Sequence, residues 1–148
     1  MNTYSQLIYQ IVFRTKNRER SLHEKNRDEL FQYISGILKN KQCHLYRVNG
    51  VEDHIHILTH INPSISVSSL VKDIKMASSI YIKEKRLFPQ FNGWQNGFGA
   101  FTYSFNEKDK LIEYVKNQVE HHEKQTFREE FVDLLNLHGI SYDEKYLP

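Results

Sequence analysis

Residues 44–61 read HLYRVNGVEDHIHILTHI, and the architecture turns on this stretch. His44 to Val48 and Asp53 to Ile61 read as two strands. The Asn49-Gly50 between them is a hairpin turn signal, because a tight primed turn needs residues that accept positive φ. Side chains alternate along a strand, so His54 and His56 project together while Ile55, Ile57 and Ile61 point the other way. The isoleucines mark the face turned to a core. The two imidazoles then lie about 7 Å apart along the opposite face.

The segments on either side complete a pattern. Upstream, residues 4–13 (YSQLIYQIVF) carry Leu7, Tyr9, Ile11 and Phe13 on one face and Gln6, Ile8, Gln10 and Val12 on the other, which predicts a central strand. Ser21 with Glu24 reads as a capping box for a helix to Asn40, in which Leu30, Phe31, Ile34, Ile37 and Leu38 recur at helical spacing. Downstream, Val67 to Lys85 is predicted helical, with Val67, Leu70, Val71, Ile74, Ala77 and Tyr81 as its apolar stripe. Pro89 and the glycines at 93, 97 and 99 lead into a strand, Ala100 to Phe105. Asn106 is expected to cap a helix to about His122 whose buried stripe is Leu111, Ile112, Val115 and Val119. Thr126 with Glu129 opens a last helix, with Phe127, Phe131, Leu134 and Leu135 inward and Gly139 at C′. The order βαββαβ with two appended helices is the α+β, ferredoxin-like (RRM-like) plan: a four-stranded antiparallel sheet with helices on one face, plus C-terminal helices. It is read as one domain over residues 1–148.

Composition agrees. The 148 residues are 39% hydrophobic, enough for a core, and hold 6 Gly, 3 Pro and 1 Cys, which excludes collagen-like, disordered and disulfide-framework classes. Lone Cys43, and a Met1 to Gln10 segment without a basic-then-apolar leader pattern, point to a reducing cytoplasm. No apolar run reaches membrane length. The net charge of +2 is uninformative, but its distribution is not. Arg14, Lys16, Arg18, Arg20, Lys25 and Arg27 cluster near the N-terminus, whereas the segment from Phe127 onward is acidic and reads as a surface helix.

Two signals carry chemistry. His54-x-His56 on one strand face can share a metal ion, or be a pair of solvent-facing histidines. Tyr114 and Gln118 lie four apart, on one helix face beside the apolar stripe, where a tyrosine is ordinarily a packer and a glutamine a surface filler. His60 shares the His54 face as a flanking phosphate contact or bystander. His121 can reach the Gln118 region or stay on the surface, and His122 lies nearer the apolar stripe. Lys72 and Lys75 share a helix face that can grip a nucleic-acid backbone, or remain solvated.

Together, Asp53-His54-Ile55-His56 and Tyr114-x-x-x-Gln118 resemble the single-tyrosine HUH transposases, the insertion-sequence and REP-associated transposase-like proteins, in which U is a large hydrophobic residue. The likeness extends to Ile-Val-Phe-Arg-Thr-Lys-Asn-Arg (11–18), Gly-Phe-Gly-Ala-Phe-Thr-Tyr-Ser (97–104) and Asn-Gln-Val-Glu-His-His-Glu-Lys-Gln-Thr-Phe (117–127). It implies that His54, His56 and Gln118 hold a divalent metal, that Tyr114 attacks single-stranded DNA beside a hairpin to give a 5′-phosphotyrosine, and that the chain forms a homodimer. Two imidazoles and an amide would leave the ion's charge largely uncompensated and attractive to a phosphodiester. Mg²⁺ prefers oxygen and Mn²⁺ tolerates imidazole, so either ion fits. Arg14, Lys16, Arg18, Arg20, Lys72 and Lys75 are the candidate DNA contacts. The alternative is a non-catalytic nucleic-acid-binding module derived from a transposase. Tyr103 and Phe105 could stack bases in it, although no RNP-type run is present.

Overall fold

Apolar residues on both faces make β1 (Ile8–Arg14) the strand that others flank: the sheet runs in the order β2 (His44–Gly50), β3 (His54–His60), β1, β4 (Gly99–Tyr103), with every neighbouring pair antiparallel. This computed structural model describes residues 3–147; Met1, Asn2 and Pro148, at the ends of the span read as one domain, lie outside the described residues. The α-helices are α1 (Glu24–Asn40), α2 (Val67–Lys85), α3 (Lys108–Lys116), α4 (Gln118–Lys124) and α5 (Phe127–Leu137). The architecture is the expected α+β one. No helix among the described residues is long and apolar enough to cross a membrane.

The alternation of β1 and β3 decides how the sheet is covered. Ile11, Phe13, Ile55 and Ile57 enter one apolar cluster with Leu30, Ile34 and Leu38 of α1 and Leu70, Val71, Ile74 and Ile82 of α2. The opposite faces of the same strands are covered too. Val12 joins Phe101, Phe127 and Phe131, and Ile8 joins Leu58 and Val115. The C-terminal helices therefore form a second layer across the sheet from α1 and α2, which is why every residue of β3 except His60 is buried.

Several local expectations are corrected. The first strand begins at Ile8, not Tyr4. Asn49 and Gly50 belong to β2, paired with His56 and Ile55, and the turn falls over residues 51–53. Gly50 is required by close approach: a Cβ there would lie 2.5 Å from the His54 carbonyl oxygen and 2.7 Å from Ile55 Cγ2. Ser21 does not cap α1; its hydroxyl is buried with no hydrogen-bond partner among the described residues, and His23 holds the N-cap position. The physical reason is that Leu22 is buried and its N–H donates to the Glu52 carbonyl at 2.9 Å, holding this entry segment against the hairpin. Strand β4 stops at Tyr103, and Ser104 with Glu107, rather than Asn106, makes the next capping box.

The helix expected to run to His122 breaks at Asn117 (φ −95°, ψ 24°). Asn49 Nδ2 donates to the Lys116 carbonyl at 2.9 Å, occupying an acceptor that a continuing helix would use. Val119 consequently leaves the predicted stripe and is 51% exposed. By contrast α2 runs over Val67–Lys85 as expected, and α5 starts at a complete Thr126/Glu129 capping box and ends before Gly139 at φ 67°.

Candidate active site

Strand β3 presents His54 and His56 to the face covered by the C-terminal helices, both fully buried, with ring centroids 5.2 Å apart. Each ring is oriented through Nδ1. His54 Nδ1 lies 2.7 Å from Asp53 Oδ1, and His56 Nδ1 lies 2.8 Å from Gln10 Oε1. Gln10 is itself turned by its Nε2 donating to the Tyr103 hydroxyl at 2.8 Å. With Nδ1–H donated outward, the Nε2 atoms of both rings are left to face inward. Such outer partners commonly set the tautomer of metal-binding histidines.

The break between α3 and α4 does not separate Tyr114 from Gln118. The Tyr114 hydroxyl and Gln118 Nε2 both donate to Glu130 Oε2 of α5, the latter at 3.2 Å. The other carboxylate oxygen, Oε1, lies 2.9 Å from His56 Nε2, 3.1 Å from His122 Nε2 and 3.7 Å from His54 Nε2. Glu130 is 2% exposed. The expectation that the acidic residues of this segment form a surface helix therefore fails at Glu130. Glu130 lies three residues after Phe127 and four before Leu134, on the buried side of α5, because the apolar docking face sets the helix orientation. Sequence reasoning missed Glu130, and a carboxylate spaced into the apolar stripe of Phe127 and Leu134 is the signal that could have found it. His122 likewise sits in the cluster rather than merely near the stripe, while His121 packs on the Tyr114 ring, centroids 4.7 Å apart.

Charge is arranged to match. Burial opposes ionisation of Glu130, yet the imidazoles of His122, His54 and His56 around it outweigh that cost and hold the carboxyl far below the usual range. Burial and the Glu130 charge push the Tyr114 phenol up. Desolvation is the largest influence on both histidines. At His54 it is overcome by Asp53 and Glu130, so the pKa rises, whereas at His56 it prevails and the pKa falls. The imidazoles of His54 and His56 and the amide of Gln118 thus share their buried pocket with a carboxylate.

His54 Nε2 and Gln118 Oε1 are buried with no hydrogen-bond partner among the described residues. Buried polar atoms are nearly always paired. Two such acceptors beside further nitrogen and oxygen donors fit a divalent cation. The other candidates divide. Arg14 is 5% exposed, paired with Asp53 at 3.1 Å and stacked 4.3 Å from the Phe127 ring centroid. Arg18 and Arg20, with Arg27 and Arg128, line a cleft of about 530 Å³ that also touches Asp53 and His122. Lys16 is exposed and outside that lining. Lys75 Nζ donates to the Gln95 and Gly97 carbonyls at 2.8 and 2.6 Å, fastening a loop, while Lys72 stays exposed. His60 Nδ1 accepts from the Leu7 N–H at 2.9 Å, away from the cluster.

A family model described as IS200-like transposase matches residues 3–118 and so ends at Gln118, before His122 and Glu130. The transposases for insertion sequence element IS200 of Salmonella typhimurium LT2 and of Salmonella typhi are each 28% identical to this chain over 117 residues, covering 76% of both partners. Among solved structures, a candidate transposase from Deinococcus radiodurans R1 superposes with a TM-score of 0.63 at 22% identity, covering 80% of this chain and 95% of that one. A REP-associated tyrosine transposase bound to a REP hairpin superposes at 0.57 and 17% identity, covering 82% and 74%. These two likenesses concern the fold.

Proposed function

Because this chain belongs to the IS200-like transposase family, we propose that it is a metal-dependent single-stranded DNA endonuclease and strand transferase with Tyr114 as nucleophile, built as one HUH domain. The observation that carries the reading is the meeting of the Tyr114 hydroxyl with the buried His54, His56 and Gln118 around one seat that leaves two acceptors unpaired. His54, His56 and Gln118 would hold Mg²⁺ or Mn²⁺. Bound there, the ion supplies Lewis-acid polarisation of a scissile phosphate.

The chain's own groups do the rest. Glu130 Oε2 receives the Tyr114 hydrogen bond and, with burial, keeps the phenol protonated and positioned until a phosphate enters. Attack of Tyr114 Oη on phosphorus forms the 5′-phosphotyrosine and breaks the bond to the 3′ oxygen. In net terms the phenolic proton goes to that oxygen, leaving a 3′-OH that can reverse the step on another strand without ATP. Arg18 and Arg20 would bind backbone phosphates in the cleft beside Asp53, with Lys16 and Lys72 outside it and Arg14 stiffening its floor. The hairpin substrate is carried from the REP-associated relative. Tyr114 meets the histidines of its own chain through Glu130, which supports attack in cis within a homodimer.

Incubating 5′- and 3′-labelled single-stranded hairpin oligonucleotides with Mn²⁺ tests this. The expected result is a denaturant-resistant adduct on the fragment 3′ of the cut with wild type, and none with Tyr114→Phe, which keeps the ring and loses only the oxygen. Adduct formation by Tyr114→Phe would move the nucleophile elsewhere. Hairpin binding without any adduct from wild type would favour the non-catalytic binding module.

A further inference from the structure

We propose that His122 and Glu130 are themselves ligands of the ion, so that the seat is a set of three histidines and one carboxylate to which Gln118 is added. This rests on the reading that the His54/His56 seat holds a divalent metal.

The geometry begins with lone pairs. The Nδ1–H of His54 is committed to Asp53 and that of His56 to Gln10, so a neutral ring presents an Nε2 lone pair inward in each case. Glu130 Oε1 faces those atoms and His122 Nε2 at 3.7, 2.9 and 3.1 Å. Lone pairs so close repel unless a proton or a cation lies among them. For a metal–ligand length of about 2.1 Å, neighbouring donors are about 3.0 Å apart in an octahedron and about 3.4 Å apart in a tetrahedron. The spacings around Oε1 are of that size. The four donor atoms lie within 4.8 Å of one another, against about 4.2 Å across such an octahedron, so the cluster need close by about 0.6 Å at most.

Placement supplies an independent argument. Glu130 lies on the docking face of α5 among Phe127, Phe131 and Leu134, where an uncompensated carboxylate is costly to bury. A cation at Oε1 would compensate it while Oε2 keeps its bonds to Tyr114 and Gln118, and the buried, unpaired Gln118 Oε1 is available as a fifth donor. Two of the ligands then come from beyond residue 118, where the family model ends. Three imidazoles and a single carboxylate favour Mn²⁺ or Zn²⁺ over Mg²⁺, which binds nitrogen poorly. The ion is accordingly held by the protein before DNA arrives.

Calorimetry of the full chain with Mn²⁺ and with Zn²⁺, in the absence of DNA, reads this directly. One ion per chain is expected for wild type, with at least about tenfold weaker binding for His122→Asn and for Glu130→Gln and no change for His121→Asn. A second measurement avoids substitution altogether: on titrating wild type with Zn²⁺, the imidazole ¹⁵N resonances of His54, His56 and His122 should all shift as ligated Nε2, and that of His121 should not. Metal binding by wild type with both variants unimpaired and His122 unshifted overturns the proposal and leaves the His54/His56/Gln118 seat standing. Wild type that binds neither ion overturns both.

Discussion

On the α1/α2 side of the sheet, Ile11, Phe13, Ile55 and Ile57 merge with two helices into one unbroken apolar cluster. On the α3–α5 side the same strands contribute to two smaller clusters, and Gln10, His54, His56, Gln118 and Glu130 are buried alongside them. The first face needs nothing but shape and stabilises at roughly 25 cal/mol per Å² of apolar surface removed from water. The second buries groups that lose free energy unless each finds a partner. One strand, β3, serves both, and its rigidity on the apolar face is what holds the imidazoles on the other. Stability and chemistry are thus separable by parity along a single strand.

The sharpest way to break that comparison is Ile57→Ala. It removes a fully buried side chain from the apolar face and should cost about 2–5 kcal/mol in chemical denaturation. Metal affinity under native conditions should stay near wild type. A loss confined to metal binding, with stability intact, would show that the two faces are not separable in this way.

Asp53→Asn probes the other face. It keeps the shape but weakens the hold on His54 Nδ1 and the pair with Arg14, so metal affinity should fall by about 10- to 100-fold with a smaller effect on stability. Calorimetry on both proteins decides it; unchanged affinity would mean that the His54 ring is oriented by packing alone. The smallest effect is expected in the arginine cleft. Replacing Arg18 and Arg20 by Ala should flatten the salt dependence of single-stranded DNA binding by about 0.7 log units per lost contact. Equal slopes in a filter-binding series would return these arginines to solvent.

How much could be read in advance follows from the range of the interactions. The capping box at Thr126/Glu129 and the bounds of α2 were legible because they depend on neighbours within a few residues. The Asn49-Gly50 signal misled because the glycine answers to a cross-strand clash rather than to a turn. Likewise the helix through residue 117 looked continuous until a side chain from β2 took the Lys116 carbonyl.

From the sequence alone came the α+β order, the shared face of His54 and His56, and the four-residue spacing of Tyr114 and Gln118, since a period of two and a period of 3.6 are local properties of the backbone. Only the tertiary structure brought His122 and Glu130 to those imidazoles. Their arrival depends on Phe127, Phe131 and Leu134 seating α5 against β1 and β4, and such docking is chosen by the fit of distant apolar surfaces, which no spacing within one element encodes.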